Sequence, residues 1–249
     1  MTRFALLGVP IDALTEAEAV DWVARAIADG RPSLVISVNP ERIMHAGRDP
    51  AFAAVLRRAD LALADGAGVL WAARRLGHPL PGRIPGVDFV RALASRGADE
   101  RWRFYFLGGG PGVAEAAGRV LQDTYPGFIL AGAQPGSPDP GADAATTEAV
   151  RSSQAQVLLL AYGAAAEEAW LDRNLAQSGA VIGLGVGGAF DFISGRVRRA
   201  PPWMREHGLE WLHRLANEPW RWRRMLALPR FVVRVLAQPR EGPPNEGSP

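Results

Sequence analysis

The chain has no cysteine, which excludes disulfides and thiolate metal sites. It has no lysine either, so all 28 basic residues are arginine. The histidines are few: His45, His78, His207 and His213 lie too far apart in sequence to suggest a zinc set, and only carboxylates remain as metal ligands. Long hydrophobic runs are missing as well. No stretch reaches the roughly 18 apolar residues that a membrane span needs, and Met1-Thr2-Arg3-Phe4 lacks the apolar core of a signal peptide. These absences predict a cytosolic protein. They do not predict a small core, because 48% of the 249 residues are hydrophobic, enough for one large α/β domain with or without an appendage.

Charge is unevenly placed. Residues 196–249 hold 11 arginines and 5 acids, a balance of +6, which leaves −4 on residues 1–195. A mildly acidic body with a basic, tryptophan-rich tail predicts an anionic partner for the tail. Nucleic acid, phospholipid and a phosphorylated substrate all have the required charge.

The stretch Leu61-Ala62-Leu63-Ala64-Asp65-Gly66-Ala67-Gly68-Val69 organises the reading. Small and aliphatic residues form a buried strand that runs into a carboxylate and then into a glycine-opened helix. Open α/β sheets place their chemistry at such strand ends. The alternative for Asp65 is that it merely caps the next helix. A second strand, Ser33–Val38, ends at Asn39-Pro40, where proline forces a turn. A third, Arg103–Leu107, feeds Gly108-Gly109-Gly110-Pro111-Gly112, whose backbone N–H groups can hold a phosphate. Val113 stands where a dinucleotide fingerprint needs its third glycine.

Elsewhere, Thr15-Glu16-Ala17-Glu18 is a capping box opening a helix that Gly30 closes. Helices follow near 50–58, 68–76, 112–122 and 142–152, with further strands at 128–131, 157–161 and 180–186. Gly77–Gly86 is a proline-rich loop carrying Arg83. Glu167 and Glu168 fall in the first turn of a helix, where acids complement the dipole. Asp191 lies just beyond the last strand. Alternation of strands with helices predicts an α/β fold: a Rossmann-like, mostly parallel sheet with helices on both faces, plus a C-terminal helical appendage. The expected division is a catalytic body over 1–195, an appendage over 196–237 and a disordered, proline-rich tail over 238–249. Within the appendage, Trp203, Trp211, Trp220 and Trp222 interleave with arginines and aliphatics, a pattern suited to a membrane interface. Aliphatics favour lipid over nucleic acid as its partner.

Taken in order, several motifs resemble the WecG/TagA/CpsF family of bacterial glycosyltransferases. They are Asn39-Pro40-Glu41, Ala64–Val69, Arg83-Ile84-Pro85-Gly86-Val87-Asp88, Phe106–Glu115, and Gly185–Gly195 continuing through Arg199-Ala200-Pro201-Pro202-Trp203 to Glu218-Pro219. The resemblance implies an inverting, metal-independent, cofactor-free transfer of a sugar from a UDP-sugar to an undecaprenyl-diphosphate-linked sugar. It also implies a place in teichoic acid or exopolysaccharide synthesis, peripheral attachment to the inner face of the plasma membrane, and a homodimer in some members.

By the same resemblance Asp65 is the base. Arg214, Arg221 and Arg224 are appendage arginines that enter the active site. Ser37, Asn39, Arg83, Gly108, Gly109, Gly110, Glu167 and Asp191 line the substrate pocket. Ser37 stands where members commonly have threonine, keeping the hydroxyl. Ala165-Ala166-Glu167-Glu168 replaces a common Pro-Lys-Gln-Glu run. An ionised Glu167 only accepts hydrogen bonds, which leads to the expectation of a neutral donor sugar, glucose- or mannosamine-like. A truncation after Gly195 is expected to fold but lose transfer. The competing readings are an NAD(P)-dependent oxidoreductase, resting on the glycine turn, and a catalytically dead membrane-docking homologue.

Overall fold

The computed structural model describes residues 1–219 and 222–239. The chain opens with an antiparallel hairpin, β1 (Thr2–Leu6) and β2 (Val9–Ala13). Its two-residue turn, Leu7-Gly8, has φ of 50° and 84°, the left-handed pair that lets a turn follow the strand twist. Arg3 grips buried Asp12, whose Oδ2 also accepts the Ala62 N–H at 2.8 Å, so the hairpin is tied to the main sheet. Next comes α1 (Glu16–Asp29), with Thr15 and Glu18 forming the predicted capping box and Gly30 closing the helix in the left-handed conformation.

The main unit alternates strand and helix: β3 (Ser33–Val38), α2 (Pro40–Ala46), α3 (Pro50–Arg57), β4 (Leu61–Ala64), α4 (Ala67–Leu76), α5 (Gly86–Asp99), β5 (Arg103–Gly108), α6 (Val113–Thr124) and β6 (Ile129–Gln134). A single 3-10 turn, Pro140–Ala142, leads into α7 (Asp143–Ser152), β7 (Val157–Ala161), α8 (Ala166–Ser178), β8 (Ile182–Gly185) and α9 (Ala189–Ile193). Four more helices are described toward the C-terminus: α10 (Pro202–Glu206), α11 (Glu210–Asn217), α12 (Trp222–Met225) and α13 (Ala227–Ala237).

Six strands form one parallel sheet in the order β4-β3-β8-β7-β5-β6. Alternate residues serve opposite faces, as strand geometry requires. Leu34, Ile36 and Val38 join α2, α3, α4, α7 and α8, whereas Val35, Leu61 and Leu63 join α1, α5, α6 and α9. The result is three layers with helices on both faces, as the alternation of elements predicted. Gly183 and Gly185 are the gaps in β8 on the first of these faces. A Cβ on Gly183 would lie 2.6 Å from Leu171, and one on Gly185 would lie 2.6 Å from Glu167 Oε2. Glycine there lets α8 lie close on the sheet.

The C-terminal helices do not form a detachable unit. Phe231 and Val235 of α13 are 1% and 0% exposed and belong to the core built on α2 and α4. Pro229 sits in the first turn of α13, where a missing N–H costs no helical bond. A chain cut after Gly195 would lose these core side chains. Of the expected disordered tail, 240–249 lies outside the described residues. Among the described residues no helix is long and apolar enough to cross a membrane.

Candidate functional site at the carboxyl edge of the sheet

Parallel strands deliver all their carboxyl ends to one edge. Asn39 follows β3, Asp65 follows β4, the glycine turn follows β5, Gly163 follows β7 and Gly187 follows β8. The segments after β3 and β8 leave to opposite faces of the sheet, as do those after β5 and β7. Such divergence opens crevices at these ends.

Asp65 is held from its own backbone and from β3. Its N–H donates to the Val38 carbonyl at 2.8 Å, and Ser37 Oγ donates to its Oδ2 at 3.3 Å. It does not cap α4: the N-cap is Gly66, at φ 91°, with no side-chain cap. The carboxylate is therefore spared for other work. Burial pushes its pKa up to about 6, and Glu210 adds to the rise, while Arg42, Arg83 and the Ser37 hydroxyl oppose it. A carboxyl group poised near neutrality is suited to accept a proton.

The glycine turn is required by its geometry. Gly108, Gly109, Gly110 and Gly112 all have positive φ. A Cβ on Gly108 would strike the Ala161 backbone at 2.6 Å, so β5 and β7 can close only on glycine. The Gly109 N–H donates to the Ala161 carbonyl at 2.9 Å. Arg196 approaches this turn, its Nη1 lying 4.0 Å from the Cβ position of Gly110, and its Nε lies 4.0 Å from Asp191 Oδ1.

α10 and α11 cross the same edge. Gly208 packs where any Cβ would meet Ala67 at 2.6 Å. Arg83 donates to the Arg205 carbonyl at 2.6 Å and reaches Glu210 at 3.5 Å. Glu210 also accepts from Arg199 at 3.1 Å, and Arg199 holds Asp88 through two bonds of 2.5 and 2.7 Å. This pairing holds Asp88 below the usual carboxylate range despite its burial. Arg214 lies against the backbone of Gly188, in the space a Cβ would fill, with its guanidinium 4.9 Å from the centre of the Phe192 ring and 3.4 Å from Glu218. The contacts of Arg83 with Glu210 and of Arg214 with Glu218 are long for charged hydrogen bonds. An open cleft of about 540 Å3 is lined by Arg83 together with Glu16, Asp88, Arg91 and Tyr125; Asp65 is not part of its lining.

The structure thus gathers Ser37, Asn39, Asp65, Arg83, the glycine turn, Asp191 and Arg214 along one edge. Asn39 serves as the N-cap of α2, its Oδ1 accepting the Arg42 N–H at 3.0 Å. Glu167 is also at this edge but is 0% exposed. Its Oε1 accepts the N–H groups of Gly163 and Gly187, and its Oε2 accepts from Arg42. In this geometry neither oxygen is open to a donor sugar. Arg221 lies outside the described residues, as does the side chain of Arg224. Sequence reasoning missed Arg42, Arg199 and Glu210. For Arg199 and Glu210 a signal existed, since both fall inside the motifs quoted above. For Arg42 there was none, because its partner is 125 residues away. Among the described residues no cluster of three His, Asp or Glu side chains is placed to hold a metal.

Comparison with known proteins agrees with this architecture. The family described as the glycosyl transferase WecG/TagA/CpsF family matches residues 4–244. A Bacillus spizizenii protein named N-acetylglucosaminyldiphosphoundecaprenol N-acetyl-beta-D-mannosaminyltransferase is 34% identical over 84% of this chain and 80% of its own length. The Bacillus subtilis protein of the same name is 30% identical over 88% of this chain and 85% of its own. A Staphylococcus aureus protein, also so named, is 26% identical over 95% and 93%.

Proposed function

Since this chain belongs to the WecG/TagA/CpsF family and is a glycosyltransferase, we propose that it moves a sugar, N-acetylmannosamine or a close neutral relative, from UDP to a sugar carried on undecaprenyl diphosphate. The observation that carries this reading is Asp65: a carboxylate freed from capping, with its pKa raised to about 6, set at the strand end where Arg42 and Arg83 bear on it.

The proposed step balances simply. The acceptor hydroxyl oxygen attacks the anomeric carbon as its proton passes to Asp65. The bond from that carbon to the diphosphate oxygen breaks, UDP leaves, and the configuration inverts. Ser37 orients the carboxylate. Negative charge grows on the leaving diphosphate, and groups already aimed at it stabilise it without reorganisation. Arg83, Arg214, Arg221 and Arg224 are the proposed stabilisers, and the turn at Gly108–Gly110 is proposed to lie close to the nucleotide. Asn39 and Asp191 complete the polar lining.

The tail is proposed to bring the edge to the lipid, with 1–195 as the catalytic body and 196–237 as the appendage. Trp203, Trp211, Trp222, Val233 and Leu236 are exposed, as is Trp71 on α4. An apolar face rimmed by arginine fits the inner leaflet of a bacterial plasma membrane.

The test is UDP release from UDP-N-acetylmannosamine, UDP-glucose, UDP-N-acetylglucosamine and UDP-glucuronate, each with short-chain polyprenyl-diphosphate sugars. Acceptor-dependent release that is lost in Asp65→Asn is expected. Release that survives Asp65→Asn would remove Asp65 from the role of base, and tight NAD(P) binding with no UDP binding, both by calorimetry, would revive the oxidoreductase reading.

A further inference from the structure

We propose that Arg42 is a positioning residue for transfer. Its guanidinium, paired with Glu167 and Glu168, locks the carboxyl ends of β3, β7 and β8 together and places a fixed positive charge beside Asp65. The inference rests on the reading of Asp65 as the base.

The geometry is that of a buried brace. The side chains of Arg42, Glu167 and Glu168 are 6%, 0% and 1% exposed. Arg42 Nη1 donates to the Ser37 carbonyl at 2.8 Å, and Nη2 donates to Glu167 Oε2 at 2.7 Å and lies 2.9 Å from Glu168 Oε1. Glu167 Oε1 then accepts the Gly163 N–H at 2.9 Å and the Gly187 N–H at 2.8 Å. Glu168 Oε2 accepts the Ala165 N–H at 2.9 Å, at a residue held at φ 70°. An alanine in the left-handed region is strained and persists only where its surroundings insist on it. One cation therefore connects the strand bearing Ser37 to both glycine-bearing turns. Gly185 is the clearance that admits the Glu167 carboxylate.

Charge separates this role from packing alone. The groups bearing on Asp65 are Ser37, Arg42, Arg83 and Glu210. Arg42 is the buried cation among them, so its charge is little screened by salt. Burial and Glu168 push the Glu167 pKa up while Arg42 pulls it down. Two carboxylates on one cation make the triad dependent on Arg42: removing it leaves both uncompensated.

The test compares wild type, R42M, E167Q and R42M/E167Q by melting temperature and by the pH profile of kcat/KM, with Asp65→Asn alongside. R42M is expected to lower the melting temperature by on the order of 10 °C, because a broken buried pair is costly. E167Q is expected to lower it too, because its amide must turn an N–H either toward the guanidinium or toward the Gly163 and Gly187 N–H groups. The double variant neutralises Glu167 but leaves buried Glu168 without its cation, so it is expected to recover part of the loss and to keep reduced but measurable transfer. Its acid limb is expected to move up by about one pH unit, since the cation favouring ionised Asp65 is gone. A double variant that recovers stability with the wild-type acid limb would reduce Arg42 to a structural residue and overturn the proposal. So would a double variant no more stable than R42M, since the pairing predicts recovery. Full activity in Asp65→Asn would instead overturn the reading of the base, and this inference with it.

Discussion

Replacing Asp65 with asparagine should stabilise the fold while ending transfer. The carboxyl group moves from an ordinary 3.8 to about 6 on folding. A rise of roughly two pH units corresponds to about 3 kcal/mol against folding with the group ionised. The sign follows from proton binding. The native state holds the Asp65 proton more tightly than the unfolded chain does. The stability carried by that proton is fully present below 3.8 and is lost as pH rises through about 6. Because Asp65 is only half-buried, and because asparagine weakens the bond from Ser37, about half of that figure is expected to survive: a gain of about 1.5 kcal/mol for Asp65→Asn at pH 7.5. For a chain of this size that is about 3–6 °C in melting temperature. Urea unfolding followed by tryptophan fluorescence at pH 7.5, 6 and 4 measures it directly. The gain should shrink steadily on acidification and vanish near pH 4, while wild-type kcat/KM falls through an acid limb near 6. A variant less stable than wild type at pH 7.5, or a gain that ignores pH, would refute the claim that the fold strains this carboxylate for function.

Five other outcomes follow from the same contacts. Phe231→Ala should cost about 3–4 kcal/mol, the usual range for emptying a buried phenylalanine site, and a truncation after Gly195 should fail to give a cooperative melt; calorimetry distinguishes this from a dispensable tail. Gly108→Ala, which drives a methyl into the Ala161 carbonyl at a φ of 106°, should abolish UDP binding by calorimetry even where the circular dichroism of the sheet is retained. Arg83→Ala should weaken UDP binding by on the order of tenfold, as loss of a charged hydrogen bond does, and should raise the acid limb of kcat/KM because Arg83 favours ionised Asp65. Trp203→Ser combined with Trp222→Ser should reduce sedimentation with vesicles containing phosphatidylglycerol without changing the melting temperature, since both side chains are more than half exposed; unchanged sedimentation would detach these tryptophans from membrane docking.

Local rules carried the sequence reading a long way. The capping box at Thr15 and the glycine stop at Gly30 bound α1 where expected. The buried strands at Ser33–Val38 and Val157–Ala161 fall where their apolar runs placed them. The reading was weaker wherever structure depends on what lies opposite. Asn39-Pro40 predicted a turn, yet it opens α2, because proline suits a first helical position and Asn39 caps it. The first strand has only the short apolar run Phe4-Ala5-Leu6-Leu7 to mark it. Its partner, containing Pro10 and Asp12, shows no clean alternation, and the hairpin forms because Asp12 finds both Arg3 and the Ala62 N–H.

The amino-acid sequence by itself determined the class of fold, the placement of Asp65 and the glycine turn at strand ends, and the basic, aromatic character of the tail. Each of these rests on residues within a few positions of one another, where helix and strand periodicity decide the outcome. Only the tertiary structure decided that Asp65 is not a cap, that α13 is part of the core, that Arg83 meets Glu210, and that Glu167 faces Arg42 rather than open solvent. These facts depend on strand order, which brings residues more than a hundred positions apart into contact. No local pattern can specify whether a charged side chain ends in water or against a buried partner.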